Sequence, residues 1–521
     1  MAYSKKKTLI ILIIFLLIKL NTFSQQLNYN LENSNFQNLN FNIQNSEKII
    51  LSGFKPIIQL DLSLELKTDS LISSKNWFYR KLFLEDFVII ESNNFNFKIN
   101  PILNLELKKD LKSKENYFIN TRGIEFKGDI GKNFSFYSSF YENQAKYEPY
   151  ITDIIRQSLV VPGQGAAKFS ENNKLDFSRV EAYISYSPNS NFNFQAGHSK
   201  HFIGEGYRSL LLSDNAFIYP FIKISSTFGK FKYIVLWSQY QSFTTAYYNY
   251  HYRKYSAINY LSYVLKPGFE ISIFENIIWP SNTNSDTNFD LNFFNPILFF
   301  KSVQYELNNE KNVLIGLNSK IKTSKFSQLY TQLAIDDADI EKLNESKYAF
   351  QFGFKYFDLF HNNFKNQTLF LNAEYNQIAN YTYAYENSAQ NYSNYNQAIA
   401  HPAGAGLKEI VGILNYNFKK FGFDIKFNQI IKSSDTTNTN FGSNIFLSDN
   451  NIIKNHEIAK NLKTTIQNLN FTFKYIINPI SNLQIFASLY KRTYKNELEN
   501  TYNLFYSFGI RTNINNYYYD Y

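Results

Sequence analysis

Cysteine is absent from all 521 residues, which excludes disulfides and a lipidated N-terminal cysteine and leaves packing and hydrogen bonding to hold the fold. Past residue 24 no apolar run approaches the roughly 20 residues that a membrane-spanning helix needs, so helical spans are excluded. No phosphate-cradling loop is present: Val161-Pro162-Gly163-Gln164-Gly165 has glycines but lacks the Lys and the Ser or Thr that such a loop uses. Metal-ligating clusters are missing too. His198 and His201 stand three apart on extended or turn backbone, a spacing that does not converge them on one ion. Asp336, Asp337 and Asp339 lack the full oxygen spacing of a calcium loop. Ser209 lies near His201 and Asp214 in sequence, but no glycine-flanked nucleophile elbow surrounds it. The expectation is a protein without metal, cofactor or enzymatic activity.

The chain starts with Lys5 to Lys7, an apolar run from Leu9 to Ile18, and Thr22-Phe23-Ser24 ahead of Gln25, the charged, apolar and cleavage regions of a secretory signal peptide in order. Removing residues 1–24 strips four lysines and no acid, taking the formal net charge from +10 to +6. That leaves 49 basic against 43 acidic groups, too near balance to point to nucleic acid.

Aromatic residues are abundant. Phe numbers 51 and Tyr 41, yet mean hydropathy is −0.34, and the aromatics fall on alternate positions through the chain. A barrel in lipid requires that alternation, because every second side chain faces acyl chains and the rest face the lumen. Leu469, Phe471, Phe473, Tyr475 and Ile477 alternate with polar residues up to a turn at Asn478-Pro479-Ile480-Ser481-Asn482. Leu483 to Leu489 and Tyr502 to Ile510 repeat the pattern, as do Phe95 to Ile99, Phe134 to Phe140, and Glu409 to Ile413 with its return strand Phe421 to Phe427. At roughly 20–25 residues per strand with its share of loops, residues 95–521 hold on the order of 16–18 strands. The fold class expected is therefore all-β, a transmembrane antiparallel β-barrel with a few short helical elements. Residues 25–94 read as an N-terminal leader, flexible through Asn45, and a candidate periplasmic plug segment. Within them Trp77 to Phe87 fits a short amphipathic helix or a strand; Ile151 to Leu159 has helical spacing as well.

One stretch breaks the alternation. Between the strand at Phe192 to Ala196 and the strand resuming at Lys223, residues Gly197 to Pro220 crowd three glycines with Lys200, Glu205, Arg208 and Asp214, a charged connection between strands. Its run Gly204-Glu205-Gly206-Tyr207-Arg208-Ser209-Leu210-Leu211-Leu212-Ser213-Asp214-Asn215 resembles the signature of the capsule-assembly Wzi family of outer-membrane proteins, and within it the gliding-motility branch that includes RemB. Asn120-Thr121-Arg122-Gly123 with Gly128 and Gly131, Asn292-Phe293-Phe294-Asn295-Pro296, and Tyr395-Asn396-Gln397 followed by Ala400-His401-Pro402 resemble the same branch. The resemblance implies about 18 strands, a closed lumen, helical elements closing the periplasmic mouth, and a bacterial outer-membrane location. It also implies one of two roles: holding surface polysaccharide at the cell exterior, or serving the motility or export machinery as an interaction protein.

Two groups of residues are candidates for a polysaccharide site, each with two readings. Glu205, Arg208, Asp214 and Asn215 form either part of a sugar-facing surface or a salt-bridge and hydrogen-bond network that fixes a loop or the barrel wall. The loop Asn380 to Gly406, with Tyr392, Tyr395 and His401 among its tyrosines and amides, is either a stacking surface for sugar rings or an aromatic belt at headgroup level.

Overall fold

The computed structural model describes residues 26–31, 41–43, 46, 49–62, 76–244, 247–281, 294–300, 312–336, 347–360, 367–435, 439–449 and 462–521. The signal peptide expected at 1–24, Asp337 and Asp339, and the first two residues of the Asn292 to Pro296 stretch lie outside them.

Eighteen antiparallel strands close into a barrel. They are β1 (Phe95–Asp110), β2 (Asn116–Ile130), β3 (Phe134–Lys146), β4 (Leu175–Tyr186), β5 (Phe192–Ser199), β6 (Tyr219–Phe228), β7 (Phe231–Thr244), β8 (Tyr247–Lys266) and β9 (Phe269–Pro280). Then follow β10 (Asn312–Lys322), β11 (Ser327–Asp336), β12 (Lys347–Tyr356), β13 (Gln367–Ile378), β14 (Leu407–Phe418), β15 (Phe421–Lys432), β16 (Thr464–Asn478), β17 (Leu483–Lys495) and β18 (Asn500–Arg511). The ring shuts where β18 pairs with β1 from Phe505 opposite Asp110 to Arg511 opposite Asn104. Closure leaves the sheet without an edge, as hydrocarbon surroundings demand.

The period-2 pattern sorts side chains between lipid and lumen. Phe140, Val180, Ile222, Phe352, Phe423, Phe473 and Phe508 are exposed on the outside, while Ser135, Ser139, Gln195, Ser272, Asn318, Gln351 and Asn428 are buried inside. The inner polar groups satisfy one another across strands, as in Thr121 Oγ1 to Asn143 Oδ1 at 2.7 Å and Ser256 Oγ to Asn276 Oδ1 at 2.6 Å. On β14 the buried row Glu409 and Val411 faces the lumen, and Ile410 takes the outer face.

Tight connections such as 229–230, 419–420 and 479–482 lie at one mouth, and the long ones 147–174, 200–218 and 379–406 at the other. By the rule for outer-membrane barrels the tight-turn mouth is periplasmic and the long-loop mouth is the cell exterior. Helix α1 (Trp77–Phe83) packs at the periplasmic mouth, where Asn478 Nδ2 donates to Glu85 O at 3.1 Å. The second helical pattern also forms, as α2 (Pro149–Ser158), but at the exterior mouth, since it joins the outer ends of β3 and β4. It is held there because Ile151 and Ile155 bury against Ala145, Leu175 and Phe177.

Three segments are prominent among those that fill the lumen. The β5–β6 connection, 200–218, runs inward from the exterior mouth. Residues 49–62 enter beside it, Phe54–Lys55 pairing antiparallel with Phe202–Ile203. The third is the segment after β18, which turns back inside so that Tyr518 and Asp520 are 3% and 2% exposed. Residues 26–31 lie along the inner wall as well, Asn28 N donating to Tyr183 Oη at 3.0 Å.

Candidate functional site

The β5–β6 connection is the hub of the lumen, and glycine sets its path. Gly204 takes φ +129°, and a Cβ there would lie 2.3 Å from Gln332 Nε2; one at Gly206 would lie 2.4 Å from a Glu374 carboxylate oxygen. The chain is thus pressed against the inner faces of β11 and β13, where its backbone groups find side-chain partners. Tyr207 N donates to Glu374 Oε2 at 2.7 Å, Arg208 N to Glu374 Oε1 at 3.1 Å, and Leu210 N to Gln332 Oε1 at 2.9 Å.

Arg208 is the most heavily partnered side chain of this hub. Its Nη2 lies 2.9 Å from Glu409 Oε1 on β14 and 2.9 Å from Asp520 Oδ1 on the returning terminal segment. Asp520 accepts from Tyr207 Oη at 2.8 Å and pairs with Lys426 Nζ at 3.0 Å. Glu409 also accepts from Asn376, Asn428 and His401 Nε2, the last at 2.7 Å. Because Ala403 N donates to His401 Nδ1, the ring carries its proton on Nε2, and burial pushes its pKa down despite the neighbouring carboxylate. Burial alone would raise the Asp520 carboxyl, but Arg208 and Lys426 outweigh it and hold the group well below the usual carboxylate range.

Glu205 anchors a second cluster. Ser52 Oγ donates to it at 2.7 Å, and Lys55 and Lys320 approach to 3.7 and 3.5 Å. Burial opposes its charge, yet Lys55, Lys320 and Lys355 keep its carboxyl far below its ordinary value. Asp214 binds the terminal segment, accepting from Tyr518 Oη at 2.8 Å, and burial pushes its carboxyl up. Lys200 donates to the carbonyls of Gly163 and Asp214 at 2.8 and 3.0 Å, and burial pushes it down to about 7.

Leu210, Leu211 and Leu212, fully buried, form the apolar floor, and the 379–406 loop lies over them. Tyr383 Oη donates to Leu210 O at 2.7 Å and Tyr392 Oη to Leu211 O at 2.6 Å; Asn215 Nδ2 reaches Ala398 O at 2.7 Å. The structure thus brings Glu205, Arg208, Asp214, Asn215, Tyr392 and His401 into one buried layer, each with polar partners inside the protein. Tyr381, Tyr383, Tyr385 and Tyr392 are buried within the protein and form neither an open platform nor a lipid-facing belt. Tyr395 alone of the named residues keeps partial exposure, packed on Phe217 with ring centroids 4.6 Å apart, beside Asn396, which donates to Ser158 O at the end of α2.

Sequence reading missed the partners. Lys55, Lys320, Glu374, Lys426 and Asp520 complete the layer; for Lys320, Glu374 and Lys426 the only local signal is charge at lumen-facing strand positions, and Lys55 and Asp520, on inward-folded segments, carry none. Among the described residues no cluster of three metal-ligating side chains occurs.

A closed barrel whose strands cross lipid and whose lumen is packed by inward-folded segments is an outer-membrane β-barrel. No protein-family model and no curated protein matches the chain. Among solved structures its fold is similar to that of Wzi from Escherichia coli, titled a carbohydrate-binding outer-membrane β-barrel involved in group 1 capsule assembly. The identity is 11%, over 95% of this chain and 100% of that one, with a TM-score of 0.56. OprD and OccK8 of Pseudomonas aeruginosa, each 8% identical over 80% of this chain and over 94% and 98% of theirs, have TM-scores of 0.43 and 0.41.

Proposed function

We propose that this chain is a non-enzymatic outer-membrane barrel, exported by a cleaved signal peptide at residues 1–24, that holds surface polysaccharide at the cell exterior. The observation that carries the reading is the buried layer itself. Leu210 to Leu212, with Tyr383 and Tyr392 above them and the Arg208 network beside them, block the lumen at the level where a porin keeps its aqueous path. A barrel closed there works through its outer surface, and the fold likeness to a carbohydrate-binding barrel supports sugar as what that surface holds. Tyr395 is our candidate for contact, since its partly buried ring packs on Phe217 beside Asn396 in the long exterior loop and keeps some exposure. Arg208, Glu205, Asp214, Asn215, Tyr392 and His401 serve as positioning residues that hold the loop beneath it.

The test is binding of surface polysaccharide, purified from the source cells, to the detergent-extracted barrel. Retention by the parent and a several-fold loss in Tyr395→Ala, with heat-modifiable migration unchanged, supports the reading. A folded parent that binds no polysaccharide overturns it and favours an interaction protein of the gliding or surface-adhesion machinery.

A further inference from the structure

A cavity of about 410 Å³ lies inside the barrel between the lumen segments and a wall that runs from β12 through β18 to β1. Its size falls in the range of small-molecule sites, roughly 300–1,000 Å³. Three of its lining residues stand in one row across adjacent strands: Asn104 on β1 pairs in register with Arg511 on β18, and Arg511 with Gln484 on β17. Asn104 Oδ1, Gln484 Oε1, Arg511 Nε and, further up the same wall, Asn470 Oδ1 are buried and have no hydrogen-bond partner among the described residues. Gln484 and Asn104 are 2% and 9% exposed, so bulk water does not reach them freely. Buried polar atoms are almost always paired, and three unpaired ones standing in one row on a cavity wall call for a ligand carrying donors and an acceptor.

Charge narrows the class. The lining holds the cations Lys55, Lys108, Lys355, Lys426, Lys474 and Arg511. Lys55, Lys108, Lys426 and Lys474 are paired with Glu205, Glu148, Asp520 and Asp424. Lys355 and Arg511 have no ion-pair partner among the described residues; Lys355 Nζ lies over the Tyr330 ring and the Arg511 guanidinium over the Phe486 ring, 4.6 Å from the centroid. The row therefore offers carbonyl oxygens to hydroxyl groups and a stacked guanidinium to an anion.

We propose that this wall is a binding site for an acidic sugar, its ring hydroxyls donating to Asn104 and Gln484 and its carboxylate accepting from Arg511. The site is separate from the exterior surface proposed above, being built from strand residues near the periplasmic mouth, and it goes beyond that reading.

The experiment is calorimetric titration of the detergent-solubilised barrel with glucuronate, glucose and inorganic phosphate. Glucuronate should bind at least tenfold more tightly than glucose, and phosphate should not displace it at equal concentration. Arg511→Gln should bring glucuronate down to the level of glucose. Ser488→Phe, which narrows the cavity from β17, should abolish both in a barrel that still migrates heat-modifiably, and it stands in should Arg511→Gln fail to assemble. Absence of glucuronate binding, equal affinity for glucuronate and glucose, or full displacement by phosphate overturns the proposal. A barrel that retains polysaccharide but binds no free glucuronate loses this site and keeps the exterior one.

Discussion

Replacing Arg208 by alanine perturbs the lumen at its most heavily charged point. The guanidinium is 1% exposed and stands between Glu409, fully buried, and Asp520, at 2%. When it is removed, Asp520 keeps Lys426 and Tyr207, so the unbalanced charge falls chiefly on Glu409, which retains only the neutral donors His401, Asn376 and Asn428. Leaving one partner of a buried ion pair uncompensated costs about 3–5 kcal/mol. The barrel ladder is untouched by the change, so the loss should appear as an opening of the lumen layer rather than failure of the strands to close. Urea unfolding in detergent, together with chymotrypsin cleavage of the 200–218 connection, measures the two separately. Arg208→Ala should expose that connection while heat-modifiable migration persists. Adding Glu409→Gln should recover roughly 1–3 kcal/mol, because it removes the orphaned charge and keeps its hydrogen bonds. A single variant within about 1 kcal/mol of the parent, or a double variant no better than the single, would refute the network as the lock on this layer. If Arg208→Ala stays locked yet loses polysaccharide, the residue contacts sugar after all.

Further expectations follow from the same contacts. Gly204→Ala and Gly206→Ala each place a Cβ within 2.4 Å of a neighbour, and Gly204 adds a left-handed φ, so each should loosen the layer by about 1–3 kcal/mol, read by the same cleavage assay. Glu205 and Asp520 have carboxyls held below their ordinary values, so their stabilisation is present in full above about pH 4 and is lost as pH falls further; cleavage by pepsin, which is active in that range, should therefore rise below pH 4 relative to an unfolded control, and constant resistance down to pH 2 would contradict it. Lys200 is pushed the other way for a base, so lumen stability should increase from about pH 7 towards 10 as the unfolded chain keeps a proton the folded one gives up, checked by urea midpoints across that span.

The wall was readable in advance and its filling was not. Alternation such as Leu469 to Ile477 or Tyr502 to Ile510 is a local property, and those segments are β16 and β18. The charged stretch at Gly197 to Pro220 was visible as a connection, yet its partners lie far off in sequence, Glu409 at 201 residues and Asp520 at 312. Nothing local distinguishes a loop that stands outside a barrel from one folded into it. Only the lumen-facing charges on strands, Lys320, Glu374, Glu409 and Lys426, signal that something charged sits opposite them. The tyrosines at 381–392 were ambiguous for a related reason: aromatics suit a sugar platform, a headgroup belt and a packed layer equally well, and these are buried. Helix α2 was legible from its spacing, but its mouth is set by the strand ends it joins.

The most direct measurement is the conductance of the purified barrel in a planar lipid bilayer. The buried layer of Leu210 to Leu212, Tyr383, Tyr392 and the Arg208 network predicts no steady open channel for the parent and openings in Arg208→Ala. A steady conductance of porin size in the parent would contradict a closed lumen and, with it, the assignment of this barrel's work to its outer surface.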